Sequence, residues 1–209
     1  MIRQLLVVCS LAVSQLAFAQ YDPEAKEVLD AMSNKYRKIP AFTASFDQAL
    51  INESADINES MSGKIAVKGD KYALEIAGQK IFNDGTDIWS YNEELAEVTV
   101  STYDPEEQEI SLNNIWDLYQ EGFKYILLSA NENGNYVVDL DPTDRTKSYF
   151  KIRMIIGKDY TLKNFTVFEN GGNQYKYSIK DFAEKPNLSD DSFTFDPADY
   201  PDVEVIDFR

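Results

Sequence analysis

No histidine occurs anywhere in the 209 residues, and the single cysteine is Cys9. Without histidine there is no proton shuttle poised near neutral pH and no imidazole metal ligand. A Ser-His-Asp or Cys-His catalytic arrangement cannot be built. Nine glycines are scattered through turns, with no G-x-G-x-x-G or Walker pattern to cradle phosphate, so no nucleotide cofactor is implied. Basic residues are scarce, 20 Lys and Arg against 36 Asp and Glu, a formal net charge of -16. Such a chain repels nucleic-acid backbones and anionic membrane surfaces, so no nucleic-acid partner is expected. Carboxylates remain for acid-base chemistry, but in so acidic a chain chance pairs are everywhere and none stands out. The cluster Asp139 to Asp144 has the look of a calcium loop, yet Asp144 and Phe150 stand where such a loop needs Gly and Glu. A hairpin turn is expected there, with no resident metal and no catalytic residue.

What is present begins with a leader. Arg3, the apolar run Leu5 to Val13, and Ala17-Phe18-Ala19 follow the order of a secretory signal peptide, so residues 1–19 are expected to be removed and 20–209 to form one exported domain. The apolar run is too short for a good membrane span. Cys9 leaves with the leader, and disulfides and thiolate chemistry leave with it. The remaining chain must rely on its core alone, which about 190 residues can supply.

Asp22-Pro23 predicts a helix start, with Asp as N-cap and Pro in the first turn. Ala25, Val28, Leu29, Met32 and Tyr36 continue at helical spacing until Ile39-Pro40. Phe42, Ala44 and Phe46 then alternate with polar residues, predicting a strand, and Asn52 to Ser60 reads as a loop. Short strands follow around Ile65–Val67, Tyr72–Ile76, Lys80–Asn83, Ile88–Tyr91 and Val98–Val100, separated by turn residues such as Gly69-Asp70. Leu112, Ile115, Trp116 and Tyr119 predict a second helix with Ser111 as cap and Gly122 as stop. Phe123 to Leu128 is apolar but of undetermined type. Strands resume at Tyr136–Leu140, Tyr149–Ile156, Leu162–Phe168, Tyr175–Ile179 and Phe193–Phe195. Phe150, Ile152, Met154 and Ile156 are expected on one side of their strand, whereas Leu162, Phe165, Val167 and Phe168 put bulk on both sides of theirs. The expected fold is mainly β: a large antiparallel sheet, curled and half closed, with helices over its concave face. Twelve Phe and 13 Tyr make an apolar cavity plausible in such a sheet.

Three stretches carry a family resemblance. One is AFTASFDQALI after the first helix. A second is residues 62–100, with Gly63 leading a strand and the D-G-x-x-x-W-x-Y pattern at Asp84-Gly85, Trp89 and Tyr91. A third is the ending F-x-F-x-x-x-x-Y-P-x-V-E-V-I-D, residues 193–207. Together with the leader and the spacing of the later strands, they resemble the periplasmic outer-membrane lipoprotein carrier family, LolA, in a diverged Bacteroidetes-type form.

The resemblance implies an incomplete antiparallel barrel of about eleven strands with helices as a lid. It implies a soluble, monomeric, non-enzymatic periplasmic carrier without cofactor. Such a carrier takes acylated lipoproteins from an inner-membrane ATP-driven releasing complex, shields their acyl chains, and passes them to an outer-membrane acceptor, touching membranes only transiently. Candidate acyl contacts are Met32, Phe46, Leu74, Ile76, Trp89, Met154 and Ile156. Family members also carry an arginine that bonds the lid closed; the matching stretch here is Val67-Lys68-Gly69-Asp70, which makes Lys68 the candidate for lid gating. Lys lacks the planar multi-donor fork of Arg, so gating is expected to differ. Two other readings share these cues: a periplasmic binding protein for another lipid or amphiphile, and a structural interaction protein of the cell envelope.

Overall fold

The computed structural model describes residues 22–105, 110, 112–130 and 134–209. The expected leader and the expected cap Ser111 lie outside them. Helix α1 spans Pro23–Tyr36 and begins as its sequence requires. Asp22 is extended, and its Oδ1 accepts from Glu24 N at 3.0 Å. The stripe Ala25, Val28, Leu29, Met32 and Tyr36 is buried.

Two meanders follow. The first runs β1 Phe42–Asn52, β2 Ile57–Lys68, β3 Lys71–Ile76, β4 Gln79–Asn83, β5 Asp87–Asn92 and β6 Glu97–Thr102. The second runs β7 Phe123–Ala130, β8 Tyr136–Pro142, β9 Tyr149–Ile156, β10 Leu162–Glu169 and β11 Gln174–Glu184. A final strand, β12, spans Glu204–Asp207. All twelve form one sheet in the order β12-β6-β5-β4-β3-β2-β1-β11-β10-β9-β8-β7. Pairing of β1 with β11, for example Phe46 opposite Ile179, joins the meanders. Every pair is antiparallel except β12 with β6. β12 and β7 are free edges, so the sheet is open and does not close into a barrel.

The helix side of the sheet carries the main core. Side chains alternate across a sheet, so Phe42, Ala44, Phe46, Ile65, Val67, Ile152, Met154 and Ile156 share the face on which α1 packs. The connection from β6 to β7 also lies there: Trp116 stacks on Tyr36 of α1 with ring centroids 4.7 Å apart and planes 6° off parallel. A second cluster lies on the opposite face, where Phe82, Trp89, Tyr91 and Val98 are covered by Phe195, Tyr200 and Val203.

Several expectations are corrected. Only one α-helix is found among the described residues. The second predicted helix is a run of turns ending in a 3-10 segment, Leu118–Gln120, with i→i+3 bonds such as Asp117 N to Asn114 O. Three-residue turns bury Ile115, Trp116 and Tyr119 as well as an α-helix would, so the apolar spacing does not separate the two. The polar loop expected at Asn52–Ser60 is mostly strand. A 3-10 turn at Glu53–Ala55 leads straight into β2, whose exposed residues Asn58 to Ser62 are held by backbone pairing to β1 rather than by apolar alternation.

Phe150 does not share a side with Ile152. A bulge between β9 and β10 sets Phe168 opposite Lys151 but Glu169 opposite Tyr149. Phe150 is therefore the extra residue, 49% exposed, with its ring 6.2 Å from Phe168. A second bulge near Lys163 puts Leu162 and Phe165 on one face despite their odd spacing. Phe193–Phe195 is not a strand. Asp190–Phe193 is a 3-10 turn capped by Ser189, whose side chain accepts from Asp191 N. Such local side-chain bonds compete with ladder formation. Both phenylalanines are buried nonetheless.

Candidate functional site

On the helix side, β1 to β4 and β10 to β11 border a pocket of about 560 Å³. Its walls follow from strand alternation. Phe46 comes from β1, Leu74 and Ile76 from β3, Ile81 from β4, Phe165 from β10 and Tyr177 from β11, with Leu112 entering from the β6–β7 connection. Phe165 and Tyr177 sit opposite each other across their strands and stack at 4.6 Å, 15° off parallel. Burial pushes the Tyr177 phenol above its ordinary pKa, with a smaller contribution from Tyr175, so it stays uncharged at neutral pH.

Phe46 owes its position to a glycine. It pairs with Gly63 across β1 and β2, and a Cβ on Gly63 would stand 2.5 Å from the Phe46 ring. The missing side chain makes the space into which the ring folds. Four polar residues line the pocket, Gln48, Asn113, Ser148 and Glu169, and two of them, Ser148 and Glu169, lie at its end by the β10–β11 hairpin. Beside that end, Asn52 ties the β1–β2 hairpin to the β10–β11 hairpin, donating to Asn173 Oδ1 at 2.8 Å.

The expected site residues divide into four groups. Phe46, Leu74 and Ile76 line the pocket together. Met32, Met154 and Ile156 are fully buried between α1 and the sheet, in the core that adjoins it. Trp89 lies on the opposite face, beneath the C-terminal segment with Phe82 and Phe195. Lys68 points to that same segment: its ammonium donates to Leu188 O at 2.9 Å and Asp190 Oδ1 at 2.7 Å, and Lys71 reaches the other oxygen of Asp190 at 3.1 Å. Sequence reasoning missed Phe165, Tyr177 and Glu169. Phe165, Val167 and Glu169 alternate along β10 and Tyr177 lies opposite Phe165 on β11, but which face of these strands meets the pocket depends on the long-range pairing of β11 with β1.

Two carboxylates of the Asp139–Asp144 stretch, Asp139 and Asp144, have structural partners. Asp139 is held by Arg153 through bonds of 2.7 and 2.9 Å, with Lys151 at 3.4 Å. Its burial would raise its pKa, but these cations hold it below the ordinary carboxylate value. Asp144 accepts from Thr146 N in the turn after β8. No cluster of metal-ligating residues occurs among the described residues. Nor is any helix among them long and apolar enough to cross a membrane. What the arrangement can do is bind an apolar ligand. A buried methylene contributes about 0.8 kcal/mol, so a long alkyl chain needs area rather than a reactive group.

Comparison with known proteins gives the same direction. The family model described as "Outer membrane lipoprotein carrier protein LolA" matches residues 37–196. The chain is similar to the outer-membrane lipoprotein carrier protein of Francisella philomiragia, 28% identical over 194 residues, covering 85% of this chain and 87% of that one. It is similar to the protein of the same name from Histophilus somni, 23% identical over 181 residues, covering 80% and 82%. Among solved structures, an uncharacterized conserved protein from Thermus thermophilus superposes with a TM-score of 0.59 at 12% identity, covering 88% of this chain and 99% of that one. That likeness concerns the fold alone.

Proposed function

The chain belongs to the outer membrane lipoprotein carrier family, LolA, and from that premise we propose that it carries acylated lipoproteins through the periplasm with their acyl chains in the pocket beside Phe46. Membership in the family supports a periplasmic location and a general role in handling lipids or lipoproteins. The observation that carries the finer reading is the pocket itself: about 560 Å³, lined mainly by aromatic and aliphatic side chains. Its size falls in the range of roughly 300–1,000 Å³ usual for ligand sites.

In this reading the protein performs no covalent chemistry. Phe46, Leu74 and Ile76 touch the acyl chain. Met32, Met154 and Ile156 form the packed floor behind them, and Trp89 supports the sheet from its other face. Lys68 acts as a tether for the C-terminal segment through Leu188 and Asp190, the counterpart here of a lid-gating residue. The carrier works as a monomer between an inner-membrane ATP-driven releasing complex and an outer-membrane acceptor, and its divergence is of the Bacteroidetes type. Export by the leader at residues 1–19 belongs to the same proposal, as does a single domain over 20–209.

The test is release of lipoprotein from spheroplasts. Purified protein added to spheroplasts making lipoproteins is expected to bring acylated lipoprotein into the supernatant. A folded Leu74→Glu variant, with a charge on the pocket wall, is expected to release none. Equal release by that variant would remove the pocket from the mechanism.

A further inference from the structure

The pocket is not apolar throughout. Among its described lining residues only one carries a charge, Glu169 at the end of β10. Val167, two residues earlier on the same face, still belongs to the apolar wall. The charge therefore stands where the apolar surface ends.

Glu169 is also oriented. Its Oε2 accepts from Asn173 Nδ2 at 3.1 Å. Asn173 Oδ1 in turn accepts from Asn52 Nδ2 at 2.8 Å, and Asn52 Oδ1 accepts from Ala55 N at 3.1 Å. Asn52 is 8% exposed, so this relay is anchored in a buried side chain and fixed at both hairpins. Glu169 is half-buried, opposite Tyr149 across the strand pair, and its charge is held at the pocket's hairpin end by Asn173.

The polar end of a bound amphiphile must emerge at that end of the pocket. There an ammonium or amide N–H would find an acceptor, and a phosphate would meet a like charge. Resting on the reading of the pocket as an acyl site, we propose that Glu169 is a specificity-determining residue. It favours acyl ligands whose polar end donates N–H groups, such as an acylated polypeptide N-terminus, and rejects anionic phospholipid headgroups. The net charge of -16 acts in the same sense at longer range.

The experiment is a competition titration against an environment-sensitive neutral acyl dye, below micellar concentrations. Three competitors with one palmitoyl chain each are used: 1-palmitoylglycerol, a monopalmitoylglyceryl-cysteinyl peptide with a free amino terminus, and palmitoyl lysophosphatidylglycerol. The wild type is expected to bind the peptide about tenfold or more tightly than the anionic lipid, a difference of about 1.4 kcal/mol. Glu169→Gln is expected to narrow that ratio to about threefold or less, by weakening the peptide and strengthening the anionic lipid, each referred to 1-palmitoylglycerol bound by the same variant. Raising ionic strength on the wild type should narrow it too, and needs no variant to fold. A wild-type ratio near one, or a ratio that a folded Glu169→Gln variant leaves unaltered whatever salt does, overturns the proposal. Failure of the neutral dye and of 1-palmitoylglycerol to bind would overturn the acyl-site reading itself, and this proposal with it.

Discussion

Asp22 and Leu127 join the only α-helix among the described residues to an open edge of the sheet. The Oδ2 of Asp22 accepts from Leu127 N at 2.9 Å, while its Oδ1 accepts from Glu24 N and Ala25 N at 3.0 and 3.4 Å. One carboxylate thus caps α1 and blocks a free donor on β7, the edge strand. An uncovered edge is a template for pairing with another chain, and a charge bound there discourages it. The same contact fixes α1 over the core beside the pocket.

Asp22→Ala is therefore expected to lower stability by about 1–2 kcal/mol, more than an exposed cap alone, because Leu127 loses its acceptor as well. Hydrogen exchange at the Leu127 amide should quicken. Asp22→Asn, which keeps an acceptor oxygen, should recover part of the loss. Unchanged exchange at Leu127 in the Ala variant would show that the contact does not hold the edge.

Acid should weaken the fold within a defined window. The Leu127 N–H, acting first, holds Asp22 below its usual value near 3.8. Thr161, chiefly through its hydroxyl, lowers Asp159 to about 2. Asp190 is lowered by Lys68 and then Lys71. A carboxylate with a lower pKa folded than unfolded stabilises the folded state above the unfolded value. That contribution is lost as pH falls through the folded value. The urea midpoint should stay level from neutrality to about pH 4 on the account of these groups, then fall toward about pH 2. A midpoint still level at that lower limit would contradict these assignments.

Gly63→Ala tests the space that Phe46 occupies. The added Cβ would stand 2.5 Å from Phe46 Cζ and 2.8 Å from the Glu75 carbonyl oxygen, and the ring is almost fully buried. Overpacking of this kind typically costs about 1–3 kcal/mol. Because Phe46 lines the pocket, affinity for an acyl dye should change along with the denaturation midpoint. A variant with wild-type stability would mean the ring has another place to go.

Helix α1 was legible because three independent signals agree there: the Asp22 cap, Pro23, and the stripe from Ala25 to Tyr36. The meander was legible because its strands alternate and its turns use residues such as Ala77-Gly78, both at positive φ. What escaped has a common cause. Phe150 and Leu162 sit beside bulges, and one extra residue reverses the face of everything beyond it. Leu112 to Tyr119 bury the same stripe in turns as in a helix. The parallel pairing of β12 with β6 was not legible, since direction leaves no mark on so short a segment. Within the candidate site, alternation alone grouped Leu74 with Ile76. It did not reveal that Trp89 faces the other way under Phe195, which depends on where the C-terminal segment crosses the sheet.

Those last residues carry a further expectation. Tyr200 lies 4.6 Å from both Phe195 and Tyr91 by ring centroids, and β12 covers the free side of β6. Truncation after Asp196 removes Tyr200, Val203 and β12 together. It should lower stability by roughly 2–4 kcal/mol and promote self-association through the bared β6 edge. Tyr200→Ala should reproduce the loss of stability in part, without the self-association. A truncated chain as stable and as monodisperse as the full one would show the ending to be dispensable.

The central claim is that the pocket beside Phe46 and Leu74 carries the acyl chains of lipoproteins. It is tested most directly by native mass spectrometry of the protein purified without detergent from its own periplasm. The expected result is a complex whose mass gain resolves, on dissociation, into a polypeptide with a lipid-modified N-terminus, absent from the Leu74→Glu variant. Recovery of the protein with free lipid alone, or empty and indifferent to added acyl ligands, would contradict the account.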